Sequence, residues 1–237
     1  MWIGLFLGSF GPLLYAMLSV ARSPRGSLTT VIGDRAFLDA LTRSLGIGFT
    51  SSAASVLIAL GLAAVASGMS PARARVVDLF VCAPLVLPPS TLAASWGYLL
   101  EPYTGPLAIA SEYFGLQRSM SLLGSRETVV PILIIVLVIS GTGWPYLLFR
   151  RAMDSIPLQS VEAAVLDGAG RLRVLFSITG PQMGGTIAAA LSIQFVWGVL
   201  AFDQIKILTN GGPGTASEVV AIYVYRQAFV LREGELA

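Results

Sequence analysis

Five stretches of the chain are long, apolar and nearly free of charge, and polar or glycine- and proline-rich segments separate them. They cover residues 2–21, 44–68, 79–100, 129–149 and 186–208. A helix needs about 20 predominantly apolar residues to cross ~30 Å of hydrocarbon, and each stretch has that length. None alternates apolar with polar positions over a sustained run, which argues against a membrane barrel. The pattern therefore predicts an all-α, polytopic membrane helix bundle with five visible spans.

Composition agrees. Of 237 residues, 55% are hydrophobic and 12% charged, with a mean hydropathy of +0.78; soluble domains average about 25% charged. The net charge of +2 is too small to suggest nucleic acid, and no basic patch is interleaved with aromatics. The chain has no His, and its single cysteine, Cys82, lies in an apolar stretch. Neither a disulfide framework nor metal-ligand spacing is present, no P-loop occurs, and no cofactor is expected. Stretch 2–21 lacks the basic n-region and the clear cleavage site of a signal peptide, so it reads as a span.

The connections are unequal. Residues 22–43 link the first two spans, and residues 101–128 link the third and fourth, with a short amphipathic interfacial helix expected at 105–116. Arg73, Arg75, Arg150, Arg151, Arg171 and Arg173 fall in the second and fourth connections. Their density there exceeds that elsewhere, but their total does not, so charge leaves the orientation open.

The connection 150–185 carries the most specific pattern. Ser155 can cap a helix and Pro157 suits its first turn. Leu158, Val161, Ala164 and Val165 share one face at helical spacing, Gly168 and Gly170 interrupt the helix, and a second stretch from 171 to 178 leads towards Pro181. Glu162, Ala163 and Ala164, then Asp167, Gly168, Ala169, Ile178 and Pro181, stand at the spacing of the EAA motif. The chain thus resembles the permeases of binding-protein-dependent, MetI-like ABC importers. One position departs: Gly180 stands where Leu is usual before the proline.

The resemblance implies that this segment is a cytoplasmic coupling loop. Those eight residues would serve docking on a separate ATP-binding subunit dimer, with Glu162 meeting basic or polar groups and Gly168 permitting a bend. It implies no catalysis by the chain itself. It implies, as partners, a second permease subunit, an extracytoplasmic solute-binding protein and the lipid bilayer, with residence in the bacterial inner membrane. Residues 1–43 would form the first span and an external loop, and 44–237 the family core. That core usually has six spans, and the visible chain stops where the last is expected to begin.

A second resemblance concerns 202–229, where Phe202-Asp203-Gln204-Ile205 and the turn Asn210-Gly211-Gly212-Pro213-Gly214 are similar to the carbohydrate and glycerol-phosphate, maltose-type branch. It implies an external loop at Gly211, Gly212 and Pro213. Polar residues inside a span usually face the bundle interior, which makes Gln194, Trp197 and Asp203 candidates for a substrate path. The competing readings are that Gln194 bonds a neighbouring helix, Trp197 packs, and Asp203 sits at the interface near Lys206. A different class, an ion-coupled secondary transporter, would need no ATPase but would be expected to show inverted repeats.

Overall fold

A computed structural model describes residues 33–115, 121–157, 159–160, 164, 166 and 168–230, with the side chains at 171 and 172 excepted. The first apolar stretch, Glu162, Ala163, Asp167 and the last seven residues lie outside that set. Among the described residues every regular element is helical.

The organising element is α1, Arg35–Ser67. Asp34 caps it by accepting the Ala36 N–H at 2.9 Å. Its 33 residues span about 50 Å, well beyond the hydrocarbon thickness. Its buried face is a stripe of small residues, including Ala40, Ser44, Gly48, Ser51, Ser55, Ala59, Ala63 and Ala66. Its large apolar residues, Phe49, Leu57, Ile58 and Val65, are exposed instead. Small residues inside and large apolar residues outside is the reverse of a water-soluble helix, and it suits a helix that packs closely while facing lipid.

Two helices use that stripe most. They are α8, Gly184–Val199, and α6, Gly143–Asp154. The α1–α8 crossing brings backbone against backbone. A Cβ added at Gly198 would lie 2.8 Å from the Gly48 Cα, and one added at Gly48 would lie 2.9 Å from the Val199 nitrogen.

The expected third span is not a straight helix. It consists of α2, Pro71–Cys82, a tight 3₁₀ turn at Ala83–Val86, and α3, Pro89–Leu99. The two halves meet at 104°. Pro88 and Pro89 explain the break, because a proline lacks the amide hydrogen and drives the preceding residue to extended backbone. Leu87 and Pro88 accordingly have ψ of 140° and 146°. The interfacial helix follows as α4, Pro106–Tyr113. The fourth span is also two helices, α5, Val129–Gly141, and α6, bent by 43°.

Beyond α6, Ser155 does not start the next helix as its capping chemistry suggested. It ends α6, and its hydroxyl donates back to the Ala152 carbonyl at 2.7 Å. After the connection, α7, Arg171–Val174, runs on through a wide π-type turn at Leu175–Thr179 and through Gly180–Gln182. The last span comprises α8 and α9, Asp203–Leu208, with a break at 200–202. α10, Val220–Tyr225, returns against α1. Two helical runs, α1 and Gly184–Leu208, are long and apolar enough to cross a membrane, or up to four if each bent pair counts as one span.

Two apolar clusters lie at different levels of α1, one near its middle and one towards its end. One joins Ile47 to Val129, Leu133, Ile205, Val219 and Ile222. The other joins Ala59, Ala63 and Ala66 to Tyr146, Phe149, Met183 and Ala190. The 150–185 connection hangs from the second.

Because the α1–α8 crossing has no room for a side chain, Gly198→Leu should destabilise the bundle by about 1–3 kcal/mol. Thermal unfolding in detergent should show a lowered midpoint. Gly61→Leu, whose Cβ direction is open, should change it little.

Candidate functional site

The chain brings chemistry together at three places: the 150–185 connection, a cavity midway along α1 and α8, and the loop after α9.

Both ends of the connection are anchored on one cluster. Met153 and Ile156 near its start, Met183 near its end and Ile187 just beyond it pack in one cluster with Ala63, Ala66 and Phe149. Between them, the Ala169 N–H donates to the Ala164 carbonyl at 2.9 Å, and Gly168 has φ of +79°. A bond from the second residue past a helix end back to the third residue inside it, with a left-handed residue between, is a Schellman termination. Gly168 is therefore the residue that ends the first helix, since a side chain at that φ would be strained. Ile178 is half-buried and Pro181 exposed. Leu166 is 88% exposed and Phe176 70%, so the surface of the connection presents large apolar groups with nothing covering them. Of the sequence candidates, Ala164, Gly168, Ala169, Ile178 and Pro181 belong to this element, while Glu162, Ala163 and Asp167 lie outside the described residues.

A polar clasp ties the helix that leads into the connection to the bent pair. The Tyr146 hydroxyl donates to Asp78, and the Arg150 Nε lies 3.5 Å from the same carboxylate. This links α6 to α2 where sequence reading saw only a cytoplasmic-type arginine pair.

The cavity holds about 410 Å³ and is lined by Gln194, Trp197 and Asp203, the three residues singled out for a substrate path. Ser51, Ser52, Ser55 and Ser140 line it too, with Gln204 and the apolar residues of the α2–α3 break, including Pro84 and Pro89. Gln194 is buried, and its amide donates to the Gly141 carbonyl. That carbonyl lost its helical donor because the residue four positions on is Pro145. Gln194 thus bonds a neighbouring helix, repairing a proline-made gap in it, and also lines the cavity. Trp197 is half exposed and stacks edge-on against Trp144, 5.9 Å between centroids. Asp203 opens α9 and is exposed. Lys206 is not its partner, because the ammonium lies over the Tyr225 ring, 4.0 Å from the centroid.

The loop 209–219 is a folded element. Its bonds run Gly212 N–H to Thr209 carbonyl at 2.8 Å, Ser217 hydroxyl to Gly212 carbonyl at 2.6 Å, and Thr209 to Ser217 between hydroxyls at 2.7 Å. Gly211 sits buried in the left-handed region, φ +85°. The loop docks on the start of α1: the Val220 N–H donates to Ser44 at 2.8 Å, and Arg43 donates to the Glu218 carbonyl at 3.4 Å. The buried Glu218 side chain pairs with Arg226 at 3.1 Å. Burial pushes the Glu218 carboxyl above its usual range, and Arg226 and Arg43 pull part of that back. Asp34 is held below its usual range, chiefly by the Tyr223 hydroxyl and then by the Ala36 N–H.

Sequence reasoning missed the serine row and the Asp78–Tyr146–Arg150 clasp. Small residues at four-residue spacing, Gly48–Ser52 and Ser51–Ser55–Ala59–Ala63, were the available signal for the first. The clasp joins residues 68 positions apart, beyond any local pattern.

Residues 55–229 match the family model described as "binding-protein-dependent transport system inner membrane component". The "Probable ABC transporter permease protein YurN" of Bacillus subtilis is 33% identical over 147 residues, which is 62% of this chain and 50% of that protein. The "Multiple sugar-binding transport system permease protein MsmF" of Streptococcus mutans is 36% identical over 109 residues, 46% of this chain and 38% of that protein. The matched stretch therefore spans half or less of these relatives. In fold, the chain is similar to a subunit of a crystallised bacterial ABC transporter involved in the import of the acidic polysaccharide alginate. The TM-score is 0.82 at 23% identity, over 99% of this chain and 83% of that one.

Two outcomes follow from this geometry. Gln194→Leu should cost about 1–2 kcal/mol by stranding the Gly141 carbonyl. Adding Pro145→Ala, which restores an amide donor, should recover part of that loss in a double-mutant cycle of detergent unfolding. For Glu218, the folded state holds its proton more tightly than the unfolded chain. As pH rises from about 4.3, the unfolded chain ionises first, so stability falls until the folded carboxyl also ionises and then levels off. Unfolding midpoints measured from about pH 4 to 7 should show this decline, and Glu218→Gln should flatten it.

Proposed function

The chain belongs to the family of binding-protein-dependent transport system inner membrane components, and on that premise we propose that it is the membrane-spanning subunit of an ATP-driven importer for a sugar or sugar-like solute. It has no catalytic step of its own. A separate ATP-binding subunit dimer supplies hydrolysis, a second permease subunit completes the bundle, and an extracytoplasmic binding protein delivers the solute. The setting is the bacterial inner membrane.

The connection 150–185 carries this reading. Its first helix is ended by Gly168, its two ends are anchored on the cluster that closes α1, and Leu166 and Phe176 stand uncovered. An element stiffly joined to the bundle and apolar on its free side suits docking into another protein. Glu162, Ala163, Ala164, Asp167 and Ala169 form the gripping side in this proposal, with Ile178 and Pro181 setting the return to α8. Motion of the ATPase dimer then biases the bundle between inward- and outward-facing states, as differential contact requires.

The same reading orients the molecule. With the connection in the cytoplasm, the loop 209–219 lies towards the opposite, external side, because it docks on Arg43 and Ser44 in the first third of α1 while the connection packs at Ala63 and Ala66. Gly211, Gly212 and Pro213 then face the binding-protein side. The cavity at Gln194, Trp197 and Asp203 is the solute path between. The Streptococcus relative's name supports a sugar as the solute class.

Glu162→Arg should weaken the grip on the ATPase subunit by about 2 kcal/mol, roughly a 30-fold loss in affinity. Co-purification of the tagged importer from membranes measures it. Glu127→Arg, at the other end of the molecule, should leave the yield of ATPase unchanged. Equal yields from both variants would remove Glu162 from the interface, and uptake driven by a proton gradient without any ATPase would replace the reading with a secondary transporter.

A further inference from the structure

The polar lining of the cavity is made of neutral groups that can donate or accept, the serine hydroxyls, Gln194, Gln204 and the Trp197 indole, and among the described residues it carries one charge, Asp203. Ser51 and Ser52 donate their hydroxyl hydrogens to the Gly48 and Phe49 carbonyls of their own helix at 3.4 and 3.0 Å. Ser55 donates across to the Val138 carbonyl at 3.4 Å. Each serine is left with oxygen lone pairs facing outward. Gln194 spends an N–H on Gly141, leaving its carbonyl oxygen free to accept. Asp203 can only accept, and it makes no hydrogen bond or ion pair among the described residues. The buried Ser140 hydroxyl is unpartnered. Lys206, three residues on from Asp203, is engaged over the Tyr225 ring.

A neutral polyhydroxyl ligand can both donate to and accept from such a lining, and Asp203 adds an acceptor for its hydroxyls. An anion entering the cavity would meet the like charge of Asp203 with no cation in the described lining to offset it. Resting on the importer reading, we infer that this cavity passes uncharged, hydroxyl-rich solutes and excludes anionic ones, with Asp203 as the residue that sets this specificity. The Trp197 ring supplies a face for the C–H side of a sugar, and Asp203 accepts from its hydroxyls. Uronates and sugar phosphates are therefore not carried.

Thiol labelling of the assembled importer in lipid nanodiscs tests this without knowledge of the solute. Leu200 lines the cavity, three residues from Asp203, and is exposed. In a Cys82→Ala background, Leu200→Cys should react with an ammonium-bearing methanethiosulfonate about tenfold faster than with the sulfonate-bearing reagent, after normalisation to free cysteine. Asp203→Asn should bring that ratio close to one. Maltose and maltotriose at millimolar concentration should protect the thiol, whereas digalacturonate should protect only in Asp203→Asn. A ratio at or below one in the parent, a ratio indifferent to Asp203→Asn, or protection of the parent by digalacturonate would overturn the inference. Failure of any sugar to protect while the ATPase subunit still co-elutes would remove the cavity as the solute site and leave the importer reading standing. Loss of the ATPase from the parent complex would instead remove the reading beneath it.

Discussion

Inside a hydrocarbon layer no water is available to take up a loose amide or carbonyl, so every backbone polar group must be satisfied by the chain itself. This constraint shapes the molecule more than hydrophobicity does. It permits only helices and closed barrels, and in a helical chain it makes each interruption a debt that some other residue must meet. The interruption at Thr142 shows how. Pro145 removes the donor that the Gly141 carbonyl would use, and Gln194 reaches across from α8 to provide one. The Thr142 hydroxyl and amide both donate to the Val138 carbonyl one turn earlier. A polar residue in the middle of an apolar helix is costly on its own, and here the broken partner offsets that cost.

The same logic places the cavity. Three helical breaks, at Thr142, at the Pro88–Pro89 pair and at 200–202, surround the serine row of α1. Irregular backbone at membrane depth is tolerated where it lines a polar space. The breaks and the cavity are therefore one feature. Small residues on α1 allow α8 close enough that both can border it, and the large apolar residues displaced from the interior cover the outer surface, where lipid accepts them.

How legible this was varies with how local the cause is. The all-helical bundle, the short helix after the third span and the two-part connection with Gly168 at its break follow from apolar length and turn chemistry, and the structure has them. Pro84, Pro88 and Pro89 stand inside the third apolar stretch, but their sum, a 104° turn, needs the packing of α3 against α9 to fix its direction. Ser155 had the chemistry of a helix start and stands at a helix end, because its hydroxyl finds the Ala152 carbonyl just as readily. Gln194 was legible as a polar residue inside a span, and the geometry shows its bond to the neighbouring helix and its place in the cavity wall. The clasp of Asp78, Tyr146 and Arg150 and the docking of Glu218 on Arg43 join residues far apart in sequence, and nothing in a single chain's local pattern announces such pairs.

The glycine contact between α1 and α8 divides α1 unequally. From Gly48 the helix runs 13 residues to its start and 19 to its end, arms of about 20 Å and about 29 Å. Where two backbones touch with no side chain between them, they can rotate about the touch more easily than they can slide. A tilt imposed on the long arm, where the connection is anchored, is thus returned on the short arm in the opposite sense and at roughly two-thirds of the size. A pivot at this contact would carry the paired charges of Glu218 and Arg226 on the shorter arm.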